Sequence, residues 1–439
     1  MLRRYCALSL GLFVPLQAIA QDLHGLSLQE QLDRPYVALL ELTNPVEYSR
    51  DELRSLRSTI EHERDQEIEK SHKSEEGLKD ELGSAQKKLQ QLNESSSRDT
   101  RSMARDRASL HIEVAALERA IHNKEVEREH DIPAAFDNKL AKLHVAEHWP
   151  ERREEILRRI EDGQARRRKH GDIDDIGYRK LASDQQEDIE VGQQAVRQMK
   201  ASGFMPQEVQ DPDVQQYVRN LAVEIAANSD LKVLLHVTVL DSPEINAIAL
   251  PGGFMFVTSG LILAAETEAE LAGVLSREIA RVAARHGIRA ARRSIVSKIF
   301  VPAAQVATGL FTGGVTNAGV YYGINYGTQG LGVLVDRALV DTDGKFRKEA
   351  DQLGIQYAWK TGFDPGGFVA FLDSLAKEKQ HSGVASSFRT NSTLGERVVD
   401  AFSEIQYLPA KEIYTADSPE FRKAKDRLAH QDISNLDVI

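Results

Sequence analysis

From about Leu26 to Gly163 the chain is so rich in Glu, Lys, Arg and Ser, and so poor in aromatics, that it cannot close a compact core around itself. Its apolar residues nevertheless keep a period. Leu78, Leu82, Ala85, Leu89 and Leu92 follow steps of four and three, which puts them on one seam of a helix. Leu110, Val114, Leu117 and Ile121 repeat that spacing. Between the runs, Asn93-Glu94-Ser95-Ser96-Ser97-Arg98-Asp99-Thr100 offers serines for a turn and Asp99 as a cap for the second helix. The pattern predicts an antiparallel coiled-coil hairpin over about residues 49–128, with a limb reaching roughly 65 Å at helical rise. Such an arm serves as a spacer or docking arm, and self-association through the coiled coil is a further use of the seam. A solvated single helix is the alternative, because from Glu61 to Gly77 only Ile68 supports the seam and Gly77 disfavours helix. Asp131-Ile132-Pro133 and Trp149-Pro150 then predict shorter helices before the composition changes near Gly171.

The start of the chain reads as a segment outside the fold. Arg3 and Arg4 precede an uncharged apolar stretch, Cys6 to Leu16, and Ala18-Ile19-Ala20 supplies the small residues a signal peptidase needs. Residues 1–20 are expected to be a cleaved signal, leaving an exported protein, periplasmic or extracellular. Cys6 is the one cysteine, so disulfides and cysteine-bound metal are excluded once that segment is removed. Of the 439 residues 41% are hydrophobic, enough for at least one large core. A formal net charge of −11 gives no global electrostatic case for nucleic-acid binding.

From about Ser183 the pattern changes. Asp211 to Ala227 has helical spacing, Leu235 to Asp241 alternates as a strand, and Phe254 to Thr258 is a second strand after Pro251-Gly252-Gly253. Glu266 to Ile288 reads as one long helix with Leu271, Val274, Leu275, Ile279 and Val282 inward. The fold class expected is α+β, mainly helical, with a small sheet: a charged helical region over 21–170, a core over 183–408 and a tail over 409–439.

Four blocks in order carry a family resemblance: INAIALPGGFMFVTSGLI (Ile245 to Ile262), ETEAELAGVLSREIARVAARH (Glu266 to His286), KEADQLGIQYAWKTGFDP (Lys348 to Pro365) and GERV (Gly395 to Val398). The chain resembles the HtpX/BepA-like and CAAX prenyl protease family of gluzincin metallopeptidases over roughly Ser183 to Leu408. That resemblance implies a zincin-like core, zinc as the cofactor, and a helix with H-E-x-x-H. Its two imidazoles hold the ion, its Glu activates water, and a later Glu in E-x-x-A-D completes the shell. The matching positions here are Arg277, Glu278 and Arg281 on the helix, and Arg347 ahead of Ala350-Asp351. The general-base position, Glu278, is kept. Each metal-ligand position is an arginine.

Two ligands at i and i+4 face one ion from one side of a helix, but each must present a lone pair. Arginine has five N–H donors and no acceptor, so it cannot ligate a cation at ordinary pH. The zinc site is therefore expected to be lost. Where the family has a His-Pro pair six residues before an arginine, this chain has Asn391-Ser392 ahead of Arg397. His286 cannot substitute, since it lies nine residues after Arg277, about half a turn round at 100° per residue. A structural hydrogen bond suits it better, and His236 sits in a strand with no partner at ligand spacing. Asp351 and Glu349 join Glu278 as ion-pair candidates for the arginines. Two outcomes stand: a salt-bridged plug in the old cavity, or an external anion held in forked hydrogen bonds. Arg285, Arg289 and Arg293 continue the i+4 series.

Function divides accordingly. One reading is a non-catalytic peptide- or protein-binding or scaffolding module. In the resembling enzymes the strand after Pro-Gly-Gly is an edge that accepts an added strand, here Gly252, Gly253, Phe254, Met255, Phe256 and Val257. The alternative is an active zinc metalloendopeptidase of envelope protein quality control with unconventional ligands. Ile299 to Val335, 37 residues without a charge but with eight glycines, is a candidate for peripheral membrane contact and not for a spanning helix.

Overall fold

The computed structural model describes residues 49–94, 101–164, 168–181, 186–201, 205–293, 344–377 and 394–436, with Leu32, Tyr36 and Leu39. The expected signal segment and serine turn, the uncharged run 299–335 and Asn391-Ser392 lie outside the described residues.

Helices α1 (Arg50–Glu94) and α2 (Arg101–Val126) lie antiparallel, so that Ser71 Oγ donates to Lys124 O at 3.4 Å. Ala85 is buried, and the leucines at 78, 82, 89 and 92 are half-buried with it. Where the apolar seam lapses, polar groups fill it. Glu75, 3% exposed, accepts from Lys79 Nζ at 2.5 Å and from Arg128 Nη1. Helix α1 is 45 residues long, about 68 Å at helical rise. Its base is anchored by Leu53 and Ile60, which pack with Leu143 and the neighbouring Phe136 and Leu140.

The expected punctuation at the two prolines does not occur. Helix α2 runs through a π turn, Glu127–Asp131, into α3 (Ile132–Glu161). Pro133 comes directly after the π turn, whose last bond is Ile132 N to Glu127 O. Pro150 sits inside the helix and forfeits one backbone bond. Burial of Val145, Trp149 and Ile156 outweighs that loss, and Trp149 meets Phe402 edge-on at 5.2 Å. Fully burying one such side chain is worth about 1.5–3 kcal/mol, comparable to the cost of an interior proline.

The core is mainly helical α+β, as expected. Its elements are α4 (Gln186–Ala201), α5 (Pro212–Ala227), β1 (His236–Leu240), β2 (Ala247–Leu250), β3 (Phe254–Thr258), α6 (Ser259–Ala264) and α7 (Glu268–Ala283). They continue with α8 (His286–Arg293), α9 (Gly344–Thr361), α10 (Gly367–Lys377), α11 (Leu394–Gln406) and α12 (Pro419–Leu436). Asp211 caps α5, accepting from Asp213 N at 2.9 Å and Val214 N at 3.3 Å. The sheet order is β1-β3-β2, with β1 parallel and β2 antiparallel to β3. Strand alternation sends Val237, Val239, Met255 and Val257 into the main core with α5 and α7. Leu240, Ile248, Leu250 and Phe256 face the other way, onto Met199 of α4.

Three sequence expectations are corrected. Glu266 to Ile288 is not one helix, because α7 ends at Ala283 and Arg285 turns the chain with φ 55°. The arginine series therefore does not continue along one face. Residues 409–439 are not simply a tail: Phe421 and Leu428 of α12 enter the core, and Lys425 Nζ donates to Ala265 O at 2.5 Å. Most consequentially for function, β3 is the central strand, so Phe254 to Val257 have partners on both sides and form no edge. Among the described residues no helix is long and apolar enough to cross a membrane.

Candidate functional site

Helix α7 starts from Thr267, whose hydroxyl accepts from Glu270 N, and is buried almost throughout. It crosses α9 at the closest approach its sequence permits. A Cβ on Gly354 would stand 2.7 Å from Arg277 Cα, so only glycine fits there. The two helices run antiparallel, since Arg277 meets Asp351 while His286, beyond the α7 terminus, meets Glu349. Helix α7 ends in the left-handed turn at Arg285, a conformation costing a side-chain-bearing residue on the order of 1–2 kcal/mol. A fork compensates: Arg285 Nε and Nη2 donate to the two oxygens of Asp188 on α4 at 2.6 and 2.5 Å.

At the crossing the arginines and carboxylates interlock. Arg277 Nε donates to Asp351 Oδ1 at 2.8 Å and Arg277 Nη1 to Glu278 Oε1 at 2.6 Å. Arg397 of α11 completes the cluster, with Nε to Asp351 Oδ2 at 2.7 Å and Nη2 to Asp351 Oδ1 at 3.0 Å. Arg281 Nη1 lies 3.5 Å from Glu278 Oε2, an ion pair longer than a good hydrogen bond. Arg347 is half-buried on α9, one turn before Asp351 and on the side toward the α7 terminus. Asp351 is 4% exposed and Glu278 is fully buried. Burial alone would raise the Asp351 carboxyl, but the charges and hydrogen bonds of Arg397 and Arg277 outweigh it and hold the group below the usual carboxylate range.

This donor set does not fit zinc. Arg277, Arg281 and Arg347 offer N–H groups where lone pairs are required, while Asp351 and Glu278 Oε1 accept from guanidiniums and Glu278 Oε2 has no hydrogen-bond donor. Among the described residues no group of three or more His, Cys, Asp or Glu is arranged to hold a metal ion. Among the described residues these arginines and carboxylates pair with one another.

Glu349 and His286 form a neighbouring cluster of their own. His286 Nε2 lies 3.1 Å from Glu349 Oε2, and Arg289 Nη1 donates to the same oxygen at 2.8 Å. Burial holds His286 below the usual imidazole range. Burial pushes Glu349 up, yet His286 and Arg289 together pull it down to about 2. Phe346 stacks on His286 at 4.8 Å. His236, another histidine of the core, stacks instead on Phe254 at 5.0 Å.

Sequence reasoning missed several members. Arg397 is the second cation on Asp351, with GERV as its one signal. His170, before the core, brings Nδ1 to 3.6 Å from Glu349 Oε1. Around it Arg168 pairs with Asp172 at 2.6 Å and with Glu404, and Gln356 Nε2 reaches Glu404 Oε1 at 2.8 Å. This stretch fastens the connection after α3 onto α9 and α11, and no spacing rule announces it.

The Pro-Gly-Gly turn is tight for steric reasons. Gly252 has φ 77°, and a Cβ there would stand 2.5 Å from Ile189 Cα. It returns β2 against β3, which leaves β2, beside α7, as the outer strand. Among the described residues no strand pairs with the far side of β2, whereas the far side of β1 receives Glu208 in a bridge to Leu240.

Residues 208–409 match the family model described as Peptidase family M48. Over 254 residues the chain is 29% identical to the Beta-barrel assembly-enhancing protease of Yersinia pestis, covering 55% of this chain and 48% of that protein. The protein of the same name from Escherichia coli (strain K12) is 26% identical over 245 residues, with the same coverages. The Mitochondrial metalloendopeptidase OMA1 of Schizosaccharomyces pombe is 26% identical over 193 residues, 44% of this chain and 51% of that one. The chain thus spans about half the length of the curated relatives it matches.

Proposed function

Residues 208–409 belong to peptidase family M48, and from that premise we propose that the protein is a non-catalytic member that binds extended peptide. One observation carries the reading: Arg277 and Arg281, at the ligand positions, are ion-paired to Glu278 and Asp351 instead of presenting lone pairs to an ion. Glu278, the general-base position, has one oxygen held by Arg277 and is read as vestigial.

Peptide binding needs no metal. An extended segment adds to a sheet edge through backbone hydrogen bonds, and the strand that offers such an edge is β2, Ala247–Leu250, beside α7. The α1/α2 hairpin works as a spacer or docking arm, long enough to hold a partner protein well away from that edge. The protein acts after export, in the periplasm or outside the cell, in keeping with the apolar start of the chain and with relatives named for enhancing β-barrel assembly. Its ligands are polypeptides presented in extended form.

Three measurements on the purified protein test this together: metal content, casein turnover with and without a chelator, and binding to an array of extended peptides. The expected result is no stoichiometric transition metal, no chelator-sensitive cleavage, and retained binding of a subset of peptides. One tightly held zinc per chain with chelator-sensitive turnover would establish the active metalloendopeptidase instead.

A further inference from the structure

We infer that a second copy of this chain docks on α1, through an exposed strip that complements itself when two arms run antiparallel. Glu63, Lys70, Ser74, Gly77, Glu81 and Lys88 fall within about 60° of one another round the helix at 100° per residue. Glu63 is half-buried and the other five are exposed, so the strip is separate from the leucine seam that meets α2.

Across a two-fold axis between Ser74 and Gly77 these positions pair off. Glu63 falls opposite Lys88 of the second copy, Lys70 opposite Glu81, and Ser74 opposite Gly77, with each pairing repeated by the symmetry. Opposite charges meet at every charged contact, along about 38 Å of helix. Other alignments fail the same test. Sliding one helix by seven residues sets Glu63 against Glu81 or Lys70 against Lys88, and a parallel pair sets every charge against its own copy. Charge thus selects one orientation and one register.

The chain by itself leaves these groups open to a partner. Among the described residues the side chains of Glu63, Glu81 and Lys88 have no hydrogen-bond or ion-pair partner, whereas Arg64, Lys73 and Lys79 are paired along α1. Lys70 Nζ donates to Glu67 Oε1 at 2.6 Å in an exposed pair, and an ammonium has further donors for Glu81 of the other copy. Glycine is unfavourable inside a helix, yet nothing in the chain lies within 4 Å of a Cβ built on Gly77. A second helix crossing at Ser74 and Gly77 uses that missing side chain, because small residues at the axis let two backbones approach. Exposed ion pairs are individually weak, so the association depends on concentration and on salt. It sets two cores at opposite ends of paired arms, and it does not depend on how either core binds peptide.

Sedimentation velocity of the full chain tests the pairing. Wild type is expected to dimerise at about 100 µM in about 50 mM sodium chloride, with a dissociation constant that rises at least tenfold by about 500 mM. Lys88→Glu and Glu63→Lys each set like charges opposite one another, and each alone is expected to weaken the dimer at least tenfold. Mixed in equal amounts, the two variants should dimerise as wild type does, because in the mixed pair both of these contacts again join opposite charges. Gly77→Gln has the better helix propensity, so its monomer should melt no lower than the wild-type monomer while its dimer also weakens at least tenfold. Wild type that stays monomeric at low salt overturns the proposal. Single reversals that leave the dimer intact overturn it too, as do reversals that fail to recover on mixing or a Gly77→Gln dimer as tight as wild type.

Discussion

Arg277 Nε donates to Asp351 Oδ1 at 2.8 Å across a helix crossing that Gly354 alone keeps close. Asp351 is thereby the hub of the cluster, since Arg397 uses both of its oxygens as well. Removing one partner of a buried pair leaves the others charged and unmatched, typically costing about 3–5 kcal/mol. Asp351→Asn is therefore expected to lower unfolding free energy by about that amount in urea titrations at pH 7. The acid limb has a definite sign: a carboxyl held low in the folded state stabilises above its unfolded pKa, and that contribution is lost as pH falls through the folded value. Wild type and Asp351→Asn should accordingly converge in acid.

The pairing also predicts how the site can be reversed. In the triple variant Arg277→His, Arg281→His, Arg347→Glu, two imidazoles one turn apart on α7 and a carboxylate on the antiparallel α9 replace the guanidiniums. The variant is expected to bind about one zinc per chain and to melt higher with zinc than with a chelator. Metal analysis and differential scanning calorimetry measure this without reference to turnover. Failure to bind would mean that α7 and α9 do not hold ligand geometry.

Glycines in two places should respond oppositely to alanine. At Gly354 an added Cβ meets the Arg277 backbone at 2.7 Å, so Gly354→Ala forces α7 and α9 apart and should cost more than about 2 kcal/mol. At Gly77, inside α1, nothing lies within 4 Å of an added Cβ. Gly77→Ala should stabilise by about 0.5–1 kcal/mol through helix propensity. Thermal melts of the two variants check both directions.

The sequence exposes what rests on local periodicity. The seam from Leu78 to Leu92 and its repeat from Leu110 to Ile121 specify helices with one less exposed side, and the two helices meet along it. Arg277, Glu278 and Arg281 are legible as a set through the family resemblance, whose motif puts the two ligand positions on one helix face. What escapes is set by contacts between distant segments. Pro150 reads as a stop until Trp149 is seen buried on Phe402. Arg285 reads as helix until Asp188, 97 residues earlier, is seen gripping it in a left-handed turn. The strand order β1-β3-β2 is invisible to alternation, so Phe254 to Val257 looks the same as a central strand or an edge. Arg397 reaches Asp351 from 46 residues away, and only folding shows that Asp351 has a second cation there.

Glu349 provides a second acid-sensitive contact. Its folded pKa is about 2 against an ordinary glutamate value near 4.5. The group therefore stabilises fully above about pH 4.5, and the contribution is lost as pH falls toward 2. Glu349→Gln is expected to be on the order of 2–3 kcal/mol less stable than wild type at pH 6, with the gap closing by pH 2. Denaturant titrations across that range measure the gap.

Glu404 should behave in the opposite sense. Burial raises its carboxyl to about 7, against the pull of Arg168 and the Gln356 hydrogen bond. Between about pH 4.5 and 7 the folded protein keeps a proton there that the unfolded chain has released, so stability falls as pH rises. The slope from one such group approaches about 1.4 kcal/mol per pH unit. Glu404→Gln cannot titrate and should lose that slope, leaving a flatter profile between pH 5 and 7. Because Glu404 joins α11 to Arg168 and Gln356, the same pH range should change amide exchange in residues 168–181 of wild type but not of the variant. Hydrogen exchange at pH 5.5 and 7.5, corrected for intrinsic rates, reads this directly. Equal pH dependence in both proteins would show that Glu404 does not titrate in the fold.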